Sequence, residues 1–275
     1  YKHLNEKLGG FNNQDMIVLA ARPAMGKTSL ALNFVEHAAL GSGSHTVDPI
    51  PVGFFSLEMS REQLVKRMLF SNAKVSHEWI KSQQKITGTT NSKLTRTVDV
   101  LKEAQIYIDD TPGLDILELR ARARRMKKQY GIKFVVIDYL QLLNYSSYAR
   151  EGRQRETMAI SGAIKGMAKE LNIPVMVVSQ LSRATEGRSD NMPKISDLRD
   201  SGAIEQDADL VLLLYRKGYY DHDYKDNLAI VDIAKYRHGS TGRIKLSFMD
   251  QYTRFEDRED NDDDLEGATI EDQWT

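Results

Sequence analysis

The sequence contains no cysteine among its 275 residues, which excludes disulfide bonds and metal sites built from thiolates. It has no run of about 18 apolar residues, the length that a membrane-spanning helix needs. The basic, apolar and small-residue regions of a signal peptide do not open the chain. These absences predict a soluble, cytoplasmic protein with no membrane partner.

The net charge of −1 is the sum of a basic body and an acidic C-terminal end. Residues 256–275 carry ten Asp or Glu and one Arg, a net charge of −9, which leaves +8 for residues 1–255. The basic body is compatible with a polyanionic partner. We expect the acidic end to be disordered and solubilising. The alternatives are that it competes with nucleic acid for the basic surface or docks an assembly factor.

Short β-branched runs alternate with helical patterns, which predicts an α/β fold with a mostly parallel sheet flanked by helices. The predicted strands are 16–21, 51–57, 106–110, 133–138, 174–180 and 209–216. The predicted helices are 28–40, 60–74, 91–104, 115–130 and 153–172. Three further strands with tight turns, at 228–237, 238–248 and 252–256, predict an antiparallel C-terminal edge.

The 41% hydrophobic content is enough for a sizeable core, and the length suits one α/β domain. We expect residues 1–15 to be a lead-in or linker remnant, residues 16–255 the main folded domain, and residues 256–275 the acidic tail. Only 15 residues precede the first predicted strand, and a larger protein that has lost an N-terminal part is one interpretation of this short start.

The phosphate-binding motif G-x-x-x-x-G-K-[ST] is present with Ala21 in place of its first glycine. It follows an apolar strand and opens an amphipathic helix, so successive backbone N–H groups would face phosphates. Lys27 would reach the β- and γ-phosphates, and Thr28 would ligate Mg²⁺. Ala21 fits if its position needs no positive φ. The alternative is a plain strand–turn–helix junction. The residues predicted to bind nucleotide are Ala24, Met25, Gly26, Lys27, Thr28 and Ser29.

Three other strands end in polar side chains. Asp138 would hold Mg²⁺, Glu58 would polarise the attacking water, and Gln180 would contact the γ-phosphate. Each has an ordinary alternative: a buried strand ending in Asp, a Glu near a helix N-terminus with Ser60 as cap, and a turn amide. Four strands that deliver polar groups to one edge are harder to explain as coincidence.

These motifs occur in an order that resembles the motor domain of DnaB-type replicative DNA helicases. The resemblance runs from about residue 5 to residue 256, and its two most specific segments are "IDYLQL" and "SDLRDSGAIEQDAD". Ala-Arg-Pro is common in the phosphate loop of this family, so Ala21 matches it. The matching segments are "AARPAMGKT", "FFSLEMS", "VVIDYLQLL", "VSQLSR", "SDLRDSGAIEQDADLVLLLYR" and "AKYRHGSTGRIKLSF".

The resemblance implies a RecA-like P-loop NTPase in which Lys27 and Thr28 bind phosphate and magnesium. It makes Glu58 the catalytic base, Asp138 the Walker B carboxylate and Gln180 the γ-phosphate sensor.

In "AKYRHG" the family uses the Lys and the Arg as fingers that reach a neighbour's ATP, here Lys235 and Arg237. Tyr236 and His238 replace a Gln and an Asn that are frequent in the family. Residues two apart on a strand project to one face, so both cations could enter one partner site. The alternative is two solvated cations on an edge strand.

Two segments are candidates for DNA contact. The resemblance makes Arg199, Asp200 and Gly202 a DNA-gripping loop. The loop at 144–156 adds Arg150, Arg153 and Arg155, whose alternative is a solvated charged loop. Neither segment interleaves aromatic residues, so we expect phosphate tracking without base stacking and a steep dependence on salt.

The resemblance implies an ATP- and Mg²⁺-dependent helicase that forms a hexameric ring and moves 5′–3′ on single-stranded DNA. Primase and a helicase loader are the further partners it implies. The alternatives are a RecA-type recombinase or other DNA-binding filament ATPase, and a non-enzymatic, ATP-gated scaffold of the clock-protein kind. Forked-duplex unwinding and DNA-stimulated ATP hydrolysis would distinguish the three.

Overall fold

The computed structural model describes residues 1–41, 48–76, 88–188, 191–198, 201–221 and 223–258. Among these residues, nine strands form one sheet in the order β3-β2-β4-β5-β1-β6-β7-β8-β9. The strands are β1 Met16–Ala21, β2 Val52–Ser56, β3 Ile106–Asp109, β4 Phe134–Asp138, β5 Val175–Gln180, β6 Leu210–Arg216, β7 Leu228–Tyr236, β8 Gly242–Met249 and β9 Arg254–Asp257.

Strands β1 to β6 pair in parallel, and β6 to β9 pair antiparallel, which confirms the predicted sheet and its antiparallel C-terminal edge. Each predicted strand is present, with ends that agree within two residues in most cases. The exception is β8, which begins at Gly242 because residues 237–240 form the turn that reverses the chain.

The five predicted helices are present, and the described residues also contain three short α-helices that were not predicted. The helices are α1 Lys2–Leu8, α2 Lys27–Leu40, α3 Arg61–Ala73, α4 Gly88–Glu103, α5 Ile116–Tyr130, α6 Arg153–Leu171, α7 Ser201–Asp207 and α8 Lys217–Tyr220. Helix α1 lies inside the expected lead-in, yet it buries Leu4 and Leu8 in the core. Short helices of this kind depend on tertiary packing rather than on a periodic sequence.

The side chains of β1 alternate between two hydrophobic cores, one on each face of the sheet. Ile17 and Leu19 join the core beneath α1, α2 and α3. Val18 and Ala20 join the core beneath α5 and α6. Burial on both faces explains why β1 reads as a continuous apolar run, as is typical of a parallel strand. The described residues contain no helix that is both long and apolar enough to cross a membrane.

The antiparallel edge folds over the start of α2. The N–H of Phe255 in β9 donates to the Asn33 side chain in α2 at 2.9 Å. The Phe255 ring is 1% exposed and contacts the ring of Phe248 in β8 with 4.6 Å between centroids. Burying a phenylalanine contributes roughly 1.5–3 kcal/mol. This packing places the last strands of the fold directly against the phosphate loop.

Candidate active site

The phosphate loop connects β1 to α2 and takes its turn at two positions of positive φ. Ala24 has φ +63° and Gly26 has φ +93°. A Cβ added to Gly26 would lie 3.0 Å from Cζ of Phe255, so both conformation and space favour glycine there. Met25 is buried between these two residues, and its N–H donates to the Arg22 carbonyl at 3.4 Å.

Ala21 occupies a strand position rather than a turn. It is the last residue of β1, is fully buried and pairs with Gln180 of β5. Its carbonyl accepts the N–H of Leu181 at 3.1 Å. Ala21 has no positive φ, so this position does not require the glycine of the general motif, which is the condition under which Ala21 was expected to fit.

Thr28 and Asp138 are in direct contact. The Thr28 hydroxyl donates to Asp138 Oδ2 at 2.7 Å, while Asp138 Oδ1 is buried and has no hydrogen-bond partner among the described residues. Burial raises the pKa of Asp138, although the Thr28 hydroxyl and the Lys27 ammonium oppose that shift. A buried carboxylate oxygen without a partner is costly, so this site suits a cation.

Glu58 is exposed just beyond the end of β2. The N–H of Leu57 donates to the Asp138 carbonyl at 2.8 Å, which holds this turn beside the end of β4. Ser60 caps α3 in a reciprocal pair with Gln63, so the predicted cap is present. Glu58 itself lies outside the helix. Burial is the main cause that raises the pKa of Asp138 and of Tyr139, and the negative charge of Glu58 adds to both shifts.

Arg67 on α3 is a basic group that sequence reasoning missed. Its side chain has no hydrogen bond or ion pair within the described part of the chain. Burial lowers the pKa of Arg67, and the charges of Asp138 and Glu58 oppose that shift, so the guanidinium lies in the field of both carboxylates. No sequence signal separates this arginine from other helical arginines.

Gln180 ends β5 and lines a cavity of about 580 Å³ beside the phosphate loop. The N–H of Gln180 donates to the Gln141 side chain at 3.2 Å, and the Gln141 amide donates to Ser179 Oγ at 2.9 Å. Gln141 was also missed, although a lone amide in the apolar run "YLQLL" is a usable signal. The cavity is lined by Arg22, Tyr139, Gln141, Gln180, Leu181, Ser182 and Arg183.

Arg22 lines this cavity and is 8% exposed. Its Nε donates to Glu186 at 3.0 Å and its Nη1 to the Leu181 carbonyl at 2.8 Å. Lys27 lies above the ring of Tyr139, with 5.3 Å between Nζ and the ring centroid. Strands β2, β4, β5 and β1 are adjacent in the sheet, so the predicted polar groups meet at one carboxyl edge.

Lys235 lies near the end of β7 and Arg237 is the first residue after it, at the amino ends of the parallel strands and opposite the phosphate loop. Both donate to the Gln206 carbonyl at the end of α7, and Arg237 also lies 3.7 Å from Asp209. Tyr236 points the other way and donates to the Leu8 carbonyl at 2.8 Å. The two cations therefore share a face, as their spacing predicted.

The predicted DNA contacts differ in availability. Arg150 is exposed and has no partner within the described residues, whereas Arg155 pairs with Glu151 at 3.0 Å. Arg153 is occupied by its own chain, donating to the Gln141 carbonyl at 2.7 Å. Gly202 lies in α7, and a Cβ there would meet none of the described residues within 4 Å. Arg199 and Asp200 lie outside the described residues.

The model of the DnaB-like helicase C-terminal domain matches residues 1–257. The chain belongs to this family. It is 42% identical over 256 residues to the replicative DNA helicase DnaB of Geobacillus stearothermophilus, a match that covers 93% of this chain and 55% of that protein. The chain therefore spans about half the length of this relative.

Solved structures agree with the DnaB-like assignment. A DnaB-like replicative helicase whose structure was solved with its interactions with primase superposes with a TM-score of 0.87 at 33% identity, covering 94% of this chain and 61% of that one. A KaiC-like protein from Pyrococcus horikoshii superposes with a TM-score of 0.60 at 19% identity, covering 93% and 94%. The second likeness shows the RecA-like fold alone.

Proposed function

We propose that this DnaB-like domain is the ATP-driven motor of a ring-forming replicative helicase that moves 5′–3′ on single-stranded DNA and unwinds duplex DNA. The observation that carries the proposal is the distribution of charge on the sheet. The polar groups predicted to act on a nucleotide meet at the carboxyl ends of β2, β4, β5 and β1. Two cations, Lys235 near the end of β7 and Arg237 just after it, lie at the amino ends of these parallel strands.

The phosphate loop fits a nucleoside triphosphate. Residues 24–29 form the turn into α2 and its first residues, so their N–H groups lie at the amino end of the helix, where the helix dipole favours anions. Lys27 is the first residue of α2. Thr28 and Asp138 would hold Mg²⁺, and the unpaired Oδ1 of Asp138 supports that fit. The described residues contain no cluster of three His, Asp or Glu that could hold a metal alone, so phosphate and water oxygens would complete the shell. Bound Mg²⁺ would neutralise charge on the phosphates.

Hydrolysis needs a base and a group that detects the γ-phosphate. Glu58 is exposed at the same edge as Asp138, which suits a carboxylate that orients an attacking water. Gln180 is half-buried at the end of β5 and presents an amide to the cavity. Loss of the γ-phosphate would release that amide and the strand end that bears it.

The fingers would act on a neighbouring subunit. The N–H of Arg237 donates to the Asp209 carbonyl at 2.8 Å, and the N–H of Asp209 donates to the Met16 carbonyl at 2.9 Å, so Arg237 lies at the amino end of β1. The phosphate loop follows the other end of β1, five residue steps or about 17 Å away. Lys235 and Arg237 therefore face away from their own site, which favours a composite site between subunits of a hexameric ring.

DNA contact is proposed at the segments around Arg150 and Gly202. Arg150 is an exposed cation that has no partner in the described part of the chain, as phosphate tracking requires. Gly202 offers a backbone without a side chain at the start of α7, where phosphates could approach closely. Arg199 and Asp200 complete this loop in the proposal.

Primase and a helicase loader are the proposed protein partners. The primase proposal is supported by a solved structure described as that of a DnaB-like replicative helicase and its interactions with primase. The loader rests on membership of the DnaB-like family.

The test is ATP hydrolysis with and without single-stranded DNA, followed by unwinding of a forked duplex. We expect DNA to stimulate hydrolysis and Lys27→Ala to abolish it. Lys66→Ala, at an exposed lysine of α3, is the matched control and should hydrolyse normally. Hydrolysis that ignores DNA would contradict the proposal, and homologous strand exchange without fork unwinding would favour a recombinase.

A further inference from the structure

Gln141 bonds to the strand that carries the proposed γ-phosphate sensor through both ends of its amide. It lies in the 3₁₀ turn Leu140–Leu142, three residues beyond Asp138. Its Oε1 accepts the N–H of Gln180 at 3.2 Å, and its Nε2 donates to the Gln180 carbonyl at 3.3 Å and to Ser179 Oγ at 2.9 Å.

This amide replaces backbone pairing that the sheet lacks. The parallel ladder between β4 and β5 ends at Ile137 and Val177, so the last three residues of β5 have no rung from β4. A side-chain amide that both donates to and accepts from one residue imitates a neighbouring strand. Gln180 can therefore move relative to β4 only if it breaks two hydrogen bonds or carries Gln141 with it.

The main chain of Gln141 is bound from the other side by Arg153. Arg153 Nη2 donates to the Gln141 carbonyl at 2.7 Å, and Nη1 donates to the Leu143 carbonyl at 3.2 Å and to Glu156 at 2.7 Å. Glu156 also accepts the N–H of Tyr145 at 2.8 Å. Partial burial alone would raise the pKa of Glu156, but Tyr145 and Arg153 outweigh it and lower this pKa.

We propose that Gln141 is a positioning residue that couples Gln180 to the arginine-bearing segment 145–156. The chain of contacts runs from the Gln180 backbone through the Gln141 amide and carbonyl to Arg153, at the first turn of α6. The exposed Arg150 lies three residues before Arg153. The inference rests on the proposed ATP-driven function, because it assigns Gln141 the task of passing the nucleotide state to that segment.

The test is amide hydrogen exchange of the whole chain with and without a non-hydrolysable ATP analogue and Mg²⁺. In the unaltered protein, we expect the analogue to protect both the phosphate loop, residues 22–29, and segment 145–156. Gln141→Met keeps the length and packing of the side chain but removes the three hydrogen bonds that the amide makes to Ser179 and Gln180. In this variant the analogue should still protect the phosphate loop but should no longer protect segment 145–156. Gln129→Met, at an exposed glutamine of α5, should lose neither.

A second readout is the ratio of DNA-stimulated to unstimulated ATP hydrolysis. We expect Gln141→Met to lower this ratio about tenfold, which is typical of a coupling between two sites. If Gln141→Met folds poorly, Gln141→Asn keeps the amide but is one methylene too short to span the same contacts, and the same losses are expected.

The outcomes separate this inference from the proposed function. Protection of both segments that persists in Gln141→Met and Gln141→Asn overturns the coupling and leaves the ATPase intact. Protection of the phosphate loop alone in the unaltered protein also overturns the coupling. Protection of neither segment overturns ATP binding, and the coupling with it.

Discussion

The hydroxyl of Thr28 donates to the carboxylate of Asp138 at 2.7 Å, joining the start of α2 to the end of β4 across 110 positions of sequence. Both side chains are nearly buried, and the second carboxylate oxygen of Asp138 has no partner in the described residues. The two groups proposed to hold Mg²⁺ are therefore already positioned by the fold.

Thr28→Val keeps the shape of this side chain and removes its hydroxyl. We expect Mg²⁺-dependent ATP hydrolysis to fall by at least ~10²-fold, since a metal-positioning oxygen is lost. We also expect the free energy of unfolding to fall by about 1–3 kcal/mol, because a buried carboxylate loses its donor. Thr28→Ser retains the hydroxyl and should preserve most of both quantities. Equal losses in the two variants would show that packing, not the hydroxyl, matters.

Gly26→Ala should impair the protein for two reasons, and a control separates them. Gly26 has φ +93°, and a Cβ there would press on the Phe255 ring at 3.0 Å. Gly131 also has positive φ, +66°, but nothing lies within 4 Å of an added Cβ. Gly131→Ala should cost about 1 kcal/mol of unfolding free energy, the conformational part alone. Gly26→Ala should cost more and should also weaken nucleotide binding. Equal costs in thermal unfolding would exclude the Phe255 contact as a cause.

Arg237→Ala should bind ATP nearly normally and hydrolyse it on the order of 10³-fold more slowly, because a finger acts on the transition state. Glu58→Gln should fail in the complementary half of the site. Mixing the two proteins allows an Arg237→Ala subunit to meet an intact finger, so some hydrolysis should return. Absence of any recovery in the mixture would count against catalysis between subunits. Hydrolysis at the parental rate in Arg237→Ala alone would refute the finger assignment.

Glu36 gives stability a defined pH dependence. Burial raises the pKa of Glu36 to about 7, even though Arg254 donates to it at 2.9 Å. The folded state then binds a proton that the unfolded state releases above about pH 4.5, so stability falls as pH rises from about 4.5 to about 7. Over this pH range, the titration of Glu36 lowers the free energy of unfolding by at most about 3 kcal/mol. Glu36→Gln should flatten this part of the profile in chemical unfolding, and an unchanged slope would contradict the shift.

Arg150→Ala should weaken binding to single-stranded DNA and reduce the slope of log affinity against log salt by about 0.7, the contribution of one phosphate contact. Arg155 already pairs with Glu151, so Arg155→Ala should change the slope less. Arg96, exposed on α4, provides a control that should leave the slope unchanged. Titrations at several salt concentrations measure all three. A slope that Arg150→Ala leaves untouched would remove this residue from the DNA path.

The local and periodic features of this protein could be predicted from its sequence. The hydrophobic pattern identified every strand from β1 to β9. A strand buried on both faces of the sheet is a continuous apolar run, and a strand buried on one face alternates apolar and polar residues. The phosphate loop was evident because its backbone turn requires Gly26, which is a local constraint. The meeting of Asp138, Glu58 and Gln180 at one edge could also be predicted, since parallel strands end together.

Features that depend on distant residues could not be predicted in this way. Helices α1 and α7 are too short to show a period, and packing against the sheet stabilises them. Arg153 looked like a free cation in its sequence context, yet it is occupied by carbonyls that the turn after β4 presents. Its contacts become visible only when β4 and α6 are placed side by side.

The sequence by itself determined the order of strands and helices, the nucleotide loop and the family resemblance, because each is a property of neighbouring residues or of a repeating pattern. Only the tertiary structure decided at which end of the parallel strands each charged side chain lies. Strand β7 runs antiparallel to β6, so Lys235 and Arg237 lie at the end opposite the phosphate loop. It also decided that Gln141 pairs with Gln180, because hydrogen bonding between segments 39 residues apart requires the folded sheet.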